Sequence, residues 1–322
     1  MTKSFFVFAS IFINHVAATN IVIRMPRTNY RFPIEYISVE GNETLNGMAS
    51  IDLLNDENVC LDYPRLDDEY PEEHQVRTIL ARGVLMGNEA VMLDFHRHLE
   101  TSSSCSAIVP VGPGSQFARS VPSFILTPVS EAEHTLVLNP TSPSEHAFEG
   151  HILYTPLHVG HSVDSSRPFR GALRLAGGVG DLETPPLAEL DLIPMGMSIR
   201  QSRIYHLPQT ICSDLLGKIA ALGIRASRFG DRFNLHDVTP DQVDLLPSID
   251  IIVQSDDGSN LVQIGQIEPR EYLFTTHTPN MYSFAGRGVD GFVLPRSIIG
   301  KLVVHFDYEN NRIGFGDPLV EL

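Results

Sequence analysis

A mostly β fold, rich in turns, is predicted from three observations. The chain carries 22 prolines and 24 glycines in 322 residues, its apolar residues gather in many short runs, and only one stretch shows clear helical spacing. Hydrophobic content of 43% and charged content of 19% are ordinary for a folded protein, which excludes wholesale disorder. The length is enough to bury one large core or two medium ones.

Taken in order, the chain opens with the pattern of a secretory signal over residues 1–18. Lys3 supplies the positive end, Phe5 to Ile13 the apolar stretch, and Val16-Ala17-Ala18 the small residues for cleavage. That stretch and every later one are too short to cross a bilayer, so no integral membrane segment is expected. Short strand-like runs follow at Ile21-Val-Ile-Arg, Ile34 to Val39 and Ala49 to Leu54. Asn42-Glu43-Thr44 is a glycosylation acceptor, in keeping with secretion. Asp56 to Glu73, acidic and proline-containing, reads as a solvated loop. Gly83 to Leu93 reads as strand, turn and strand, and Ser106 to Phe117 as an apolar strand entering a Gly-Pro-Gly turn. Thr135 to Leu138 and His151 to Leu157 are further strands, and His158 to Pro186 reads as loop. Gly177-Gly-Val-Gly180 in that stretch is turn chemistry, because no amphipathic helix follows to make a phosphate cradle. Ile211, Leu215, Leu216, Ile219, Ala220 and Leu222 then recur at helical spacing between Pro208 and Gly223. Ile249 to Val253, Leu261 to Ile264 and Tyr272-Leu-Phe return to the strand pattern, with Asp256-Asp257-Gly258-Ser259 as a hairpin connection.

Charge and chemistry narrow the classes. Lys+Arg 23 against Asp+Glu 39 gives a net charge of −16, which argues against a nucleic-acid partner. Of the 3 cysteines, Cys60 and Cys105 are a candidate disulfide pair with connectivity left open, and Cys212 falls on the predicted helix as a small buried apolar residue. His96-x-His98 and His158-x-x-His161 lack the further ligands a metal site needs, so no metal and no cofactor are expected. Gly112-Pro-Gly-Ser115-Gln lacks the nucleophile elbow of a serine hydrolase. Asp164-Ser165-Ser166 lies in a polar stretch and reads as a turn.

The closing segment, Gly291-Phe-Val-Leu-Pro295 through Val303-Val-His-Phe-Asp-Tyr-Glu-Asn-Asn-Arg-Ile-Gly-Phe315, resembles the last segment of pepsin-like aspartic proteases. Other stretches resemble that family's landmarks in its order. They are Gly83 to Leu93, Cys105 to Phe117, Leu136 to Leu157, Leu207-Pro208 with its helix, and Pro247 to Tyr272. The resemblance runs from about residue 49 to the end. It implies a bilobal, mostly β fold with a few short helices, an N-terminal lobe over 19–157, a C-terminal lobe over 158–322 and a cleft between them.

In that family two carboxylates share one proton: one activates a water, the other donates to the developing oxyanion. Each stands in an Asp-Thr/Ser-Gly loop after an apolar strand. Here Ala49-Ser-Ile-Asp52-Leu53-Leu54 has that shape, which makes Asp52 the candidate for the first position, with Leu53-Leu54 where hydroxyl and glycine belong. A strand aspartate capping a turn is the plainer reading of Asp52. Counting back from Pro208 puts the second position at Ile199, and no Asp or Glu occurs from Leu192 to Ser213. Val76 stands at the flap position where the family has tyrosine, and Leu294-Pro295 replaces the final Leu-Gly turn.

The resemblance therefore implies a secreted, catalytically inactive homologue, monomeric, holding an extended peptide or protein ligand in the cleft. Two alternatives stay open: a divergent active aspartic endopeptidase using Asp52 and another carboxylate, and a structural secreted protein with a filled cleft.

Overall fold

The computed structural model describes residues 21–26, 31–38, 44–53, 81–85, 92–95, 107–130, 133–140, 148–158, 167–178, 186–198, 205–286 and 291–318. It is mostly strand with few and short helices, as the density of turn residues predicts. Among the described residues no helix is long and apolar enough to cross a membrane.

The first half runs β1 (Ile21–Pro26), β2 (Arg31–Ser38), β3 (Thr44–Asp52), β4 (Ala81–Leu85), β5 (Met92–Phe95), β6 (Ala107–Pro110), α1 (Gln116–Ser120), β7 (Ser123–Pro128) and β8 (Glu133–Leu138). The second half begins with β9 (Phe148–Pro156), β10 (Phe169–Ala176) and β11 (Ile193–Ser198). An elaboration follows: β12 (His206–Leu207), α2 (Gln209–Ala221), β13 (Arg225–Phe229), β14 (Arg232–His236) and α3 (Pro240–Asp244). The chain then completes β15 (Ser248–Gln254), β16 (Leu261–Ile267), α4 (Pro269–Tyr272), β17 (Phe274–Thr275) and β18 (Tyr282–Gly286). It ends with β19 (Phe292–Pro295), α5 (Arg296–Ile299), β20 (Val303–Asp307) and β21 (Arg312–Pro318).

The strand pairings repeat. One five-stranded sheet has the order β5-β4-β2-β3-β6 and another the order β16-β15-β10-β11-β19. In each, the first two strands of the set pair antiparallel, and the second also pairs parallel with the last. A six-stranded sheet, β1-β8-β7-β20-β21-β9, joins the halves, with each half contributing an equivalent hairpin and flanking strand. Its centre is the β7–β20 pair, where Phe124 faces Phe306 and their rings stack at 4.4 Å with 15° between planes. The boundary expected near Leu157 falls just after β9, a strand of this shared sheet that pairs with β21.

One face of the six-stranded sheet carries Phe124, Leu126, Leu136, Leu138, Phe306, Ile313 and Phe315 into the main core. The alternate residues Ile125, Val137 and Val303 form a second buried cluster, as the two-residue period of strands requires. Beside Val303, His305 is 2% exposed, with its ring nitrogens hydrogen-bonded to Ser123 Oγ (2.9 Å) and Tyr154 Oη (2.7 Å).

The helix predicted at Ile211–Leu222 is α2, which buries Ile211, Cys212, Leu215 and Ile219 along one face and ends at Gly223, φ 72°. Two expectations differ. The stretch read as loop between His158 and Pro186 contains the eight-residue strand β10, central to its sheet. Its alternation is hidden by Arg170 and Arg174, and the second of these is neutralised by Asp250 directly across on β15. Tyr272, read as strand, ends α4, which has Pro269 at its first turn and a Glu268/Glu271 capping box.

Candidate functional site

Two strand ends correspond in the repeated topology. In the first half the parallel register pairs Ala49 with Ala107, Ile51 with Val109 and Asp52 with Pro110. In the second it pairs Met195 with Phe292, Met197 with Leu294 and Ser198 with Pro295. Both pairs end on proline, whose fixed φ and missing N–H stop the ladder there. Ser198 therefore holds the place in the second half that Asp52 holds in the first. Ile199, the position reached by counting back from Pro208, is the next residue and lies outside the described residues.

The flanking residues differ from a catalytic loop in kind. Leu53, the residue after Asp52, is 3% exposed and belongs to the main core. Ser198 is 3% exposed. Close by in the chain, Tyr205 Oη hydrogen-bonds Ser297 Oγ of α5 at 2.6 Å, tying the segment before β12 to the helix after β19. Burial pushes the Tyr205 phenol up to about 12, opposed in part by the Ser297 hydrogen bond and reinforced by the Glu271 carboxylate. Glu271 is itself engaged by Lys301 Nζ at 2.8 Å and by the Glu268 amide at 2.9 Å. The second strand end thus offers hydroxyls and no carboxylate from Leu192 to Ser213. An aliphatic hydroxyl or a buried neutral phenol does not exchange protons in the range where carboxylates act as acid and base.

Val76, Asn42, Cys60 and Cys105, with His96, His98, His161 and Asp164, lie outside the described residues. Cys212 is a free, fully buried thiol whose Sγ lies 3.5 Å from the Leu207 carbonyl oxygen. Burial pushes it up to about 11, against a smaller pull from Arg228, so it is an inert packing residue. Among the described residues no group of three or more His, Cys, Asp or Glu is placed to hold a metal ion. Asp257, in the connection predicted as a hairpin loop, accepts from Ser255 Oγ and from Ser259 amide and hydroxyl, which hold its carboxyl near 2. A groove of about 800 Å3 runs between α2 and Glu189–Pro194, walled by Leu173, Leu175, Leu192 and Ile211.

Two buried polar arrangements escaped sequence reasoning: the Ser123–His305–Tyr154 chain and the Arg174–Asp250 pair. The second had a signal, the alternation of Phe169, Gly171, Leu173 and Leu175. The first joins residues from three distant strands and had none. No protein-family model matches the chain, and no curated protein is significantly similar to it.

Proposed function

We propose that this protein is a secreted homologue of the pepsin-like aspartic proteases that no longer hydrolyses peptide bonds and binds an extended peptide or protein segment between two lobes. The observation that carries this reading is Ser198 at the strand end equivalent to Asp52. The shared-proton mechanism needs two carboxylates, one to activate water and one to protonate the carbonyl oxygen. A serine at the second position can do neither. The repeated strand order and the six-stranded sheet built from both halves support the two-lobed scaffold. Recognition of an extended peptide rests on backbone hydrogen bonds and side-chain pockets, so it survives loss of the carboxylates.

The test is to incubate the purified protein with unfolded protein substrates from pH 2 to pH 7, with and without pepstatin, and to follow thermal stability with extended peptides. The expected result is no cleavage, with stabilisation that grows with peptide concentration to about 2.7 kcal/mol at a hundred times the dissociation constant. Pepstatin-sensitive cleavage abolished by Asp52→Asn would replace this reading with an active, divergent endopeptidase. Neither cleavage nor stabilisation would leave a structural protein with a filled cleft.

A further inference from the structure

The groove between α2 and Glu189–Pro194, about 800 Å3 in volume, falls within the size range of sites that hold small organic molecules. Its sheet side carries Leu173 and Leu175 of β10, and its outer wall carries Leu190, Leu192 and Ile193. Of these, Leu175, Leu190, Leu192 and Ile193 are partly exposed, so the groove presents apolar surface to solvent. The facing side of α2 is small and polar, with Thr210, Ser213, Asp214 and Gly217 recurring at helical spacing along it. Gly217 is the informative residue there. Glycine is among the least favourable residues inside a helix, yet α2 runs unbroken from Gln209 to Ala221. An added Cβ at Gly217 would meet nothing within 4 Å, and its φ is not positive. Neither crowding nor backbone geometry therefore requires glycine, and what the missing side chain leaves is room in the groove.

The groove is also one-sided in charge. Glu189 and Asp191 on the outer wall and Asp214 on α2 are exposed carboxylates, and among the described residues none of the three is in an ion pair. Two bases reach the groove, and both are committed. Arg174 is bound to Asp250 at 2.7 Å, while Lys218 is 8% exposed and already engaged. The open acids thus border an apolar channel that, among the described residues, offers no open cation to match them. Partial shelter from water strengthens the attraction of such carboxylates for a positive charge.

We propose that this groove binds a small organic amine, an apolar chain or ring system with one cationic end. Its body lies against Leu175, Leu190, Leu192 and Ile193, and its ammonium group among Glu189, Asp191 and Asp214. Charge-assisted hydrogen bonds to the carboxylates fix the polar end, and burial of the apolar body supplies the rest of the affinity. A purely polar polyamine would leave the apolar wall uncovered, and a fatty acid would bring its own carboxylate against the three acids. This proposal does not depend on the inter-lobe reading and survives its failure.

The experiment is titration of the full chain at physiological salt with octylamine, octanol, octanoate and diaminobutane, followed by calorimetry and by chemical-shift changes. Octylamine is expected to saturate one site, with octanol and diaminobutane weaker by at least about tenfold and octanoate not binding. Gly217→Leu places a side chain in the groove and is expected to weaken octylamine by at least about tenfold. Its melting temperature should stay the same or rise, since leucine suits a helix better than glycine. The triple variant Glu189→Gln, Asp191→Asn, Asp214→Asn should bring octylamine down to the level of octanol and leave octanol unchanged. Neutralising three exposed acids elsewhere, by Asp231→Asn, Asp241→Asn and Glu309→Gln, should leave octylamine binding within about twofold, because distant charges are screened. The two triple variants decide the matter if Gly217→Leu is not folded. Equal binding of octylamine and octanol, octanoate binding as well as the amine, undiminished binding in folded Gly217→Leu, equal losses in the two triple variants, or no saturable binding overturns the proposal.

Discussion

Replacing Asp250 with alanine removes the centre of the polar layer in the second-half sheet. Asp250 is 2% exposed and accepts four hydrogen bonds: from Arg174 Nε (3.1 Å), Arg174 Nη2 (2.7 Å), Gln263 Nε2 (3.1 Å) and Gln266 Nε2 (3.0 Å). The Arg174 side chain is 18% exposed, so water cannot fully replace the lost carboxylate. Removing one partner of such a pair strands the other, at a cost of about 3–5 kcal/mol. Replacing both with apolar residues of similar size, Asp250→Leu with Arg174→Met, removes the stranded charge and is expected to fall within about 1 kcal/mol of the wild type or above it. The assay is equilibrium urea unfolding of the wild type, both single variants and the double, read by circular dichroism and fluorescence of the 9 tyrosines, since the chain has no tryptophan. A coupling energy of at least about 2 kcal/mol is expected across the cycle. An Asp250→Ala cost below about 1 kcal/mol, or single effects that simply add in the double variant, would refute the reasoning.

Other outcomes follow from the same structure. Arg312 clamps three elements, bonding Asp307 at 2.8 Å and Asp256 at 3.4 Å while lying 3.9 Å from the Tyr154 ring centroid. Arg312→Ala should cost about 1–3 kcal/mol in unfolding experiments and Arg312→Lys less than Ala, with no difference between Ala and wild type counting against the clamp. Burial pushes the Asp307 carboxyl up, but hydrogen bonds from Arg312 and Asn310 and the Arg312 charge outweigh it and hold it below the usual range. Its stabilising contribution is thus full above the unfolded value near pH 4 and is lost as pH falls through the folded one, so Asp307→Asn should flatten the acid limb of a stability profile. At Gly286 a methyl would meet the Cys212 sulfur and sit 2.9 Å from Phe233, so Gly286→Ala should cost about 1–3 kcal/mol by thermal unfolding. Alkylation mapped by mass spectrometry should leave Cys212 unmodified until denaturant is added, since the thiol is buried and pushed up to about 11.

Elements whose signal is local were legible in the sequence. The helix at Ile211 declared itself by spacing between proline and glycine. β10 carried a local signal in the alternation of Phe169, Gly171, Leu173 and Leu175, but that the Arg174 charge is cancelled by a residue 76 positions away is information no local window contains. The candidate site was half legible. That no acid occurs from Leu192 to Ser213 could be read directly, because an acid-free stretch needs no alignment. The residue at the second strand end could not, since Ser198 rather than its neighbour is identified only by which strand it faces.

The six-stranded sheet also sets the order of events when the chain is made. β7 (Ser123–Pro128) is complete long before the strand that pairs its other edge, β20 (Val303–Asp307), is synthesised. At a synthesis rate of about 5–20 residues per second, that edge waits roughly 9–35 s for its partner. During the wait the nascent chain presents an apolar strand with unused backbone donors and acceptors, the surface on which strangers pair. Chains stopped before Val303 would therefore be aggregation-prone in proportion to their lifetime, and chaperones should engage the first half as it emerges. Productive folding therefore waits on β20 and β21, and a chain that lacks them leaves the β7 edge without its partner.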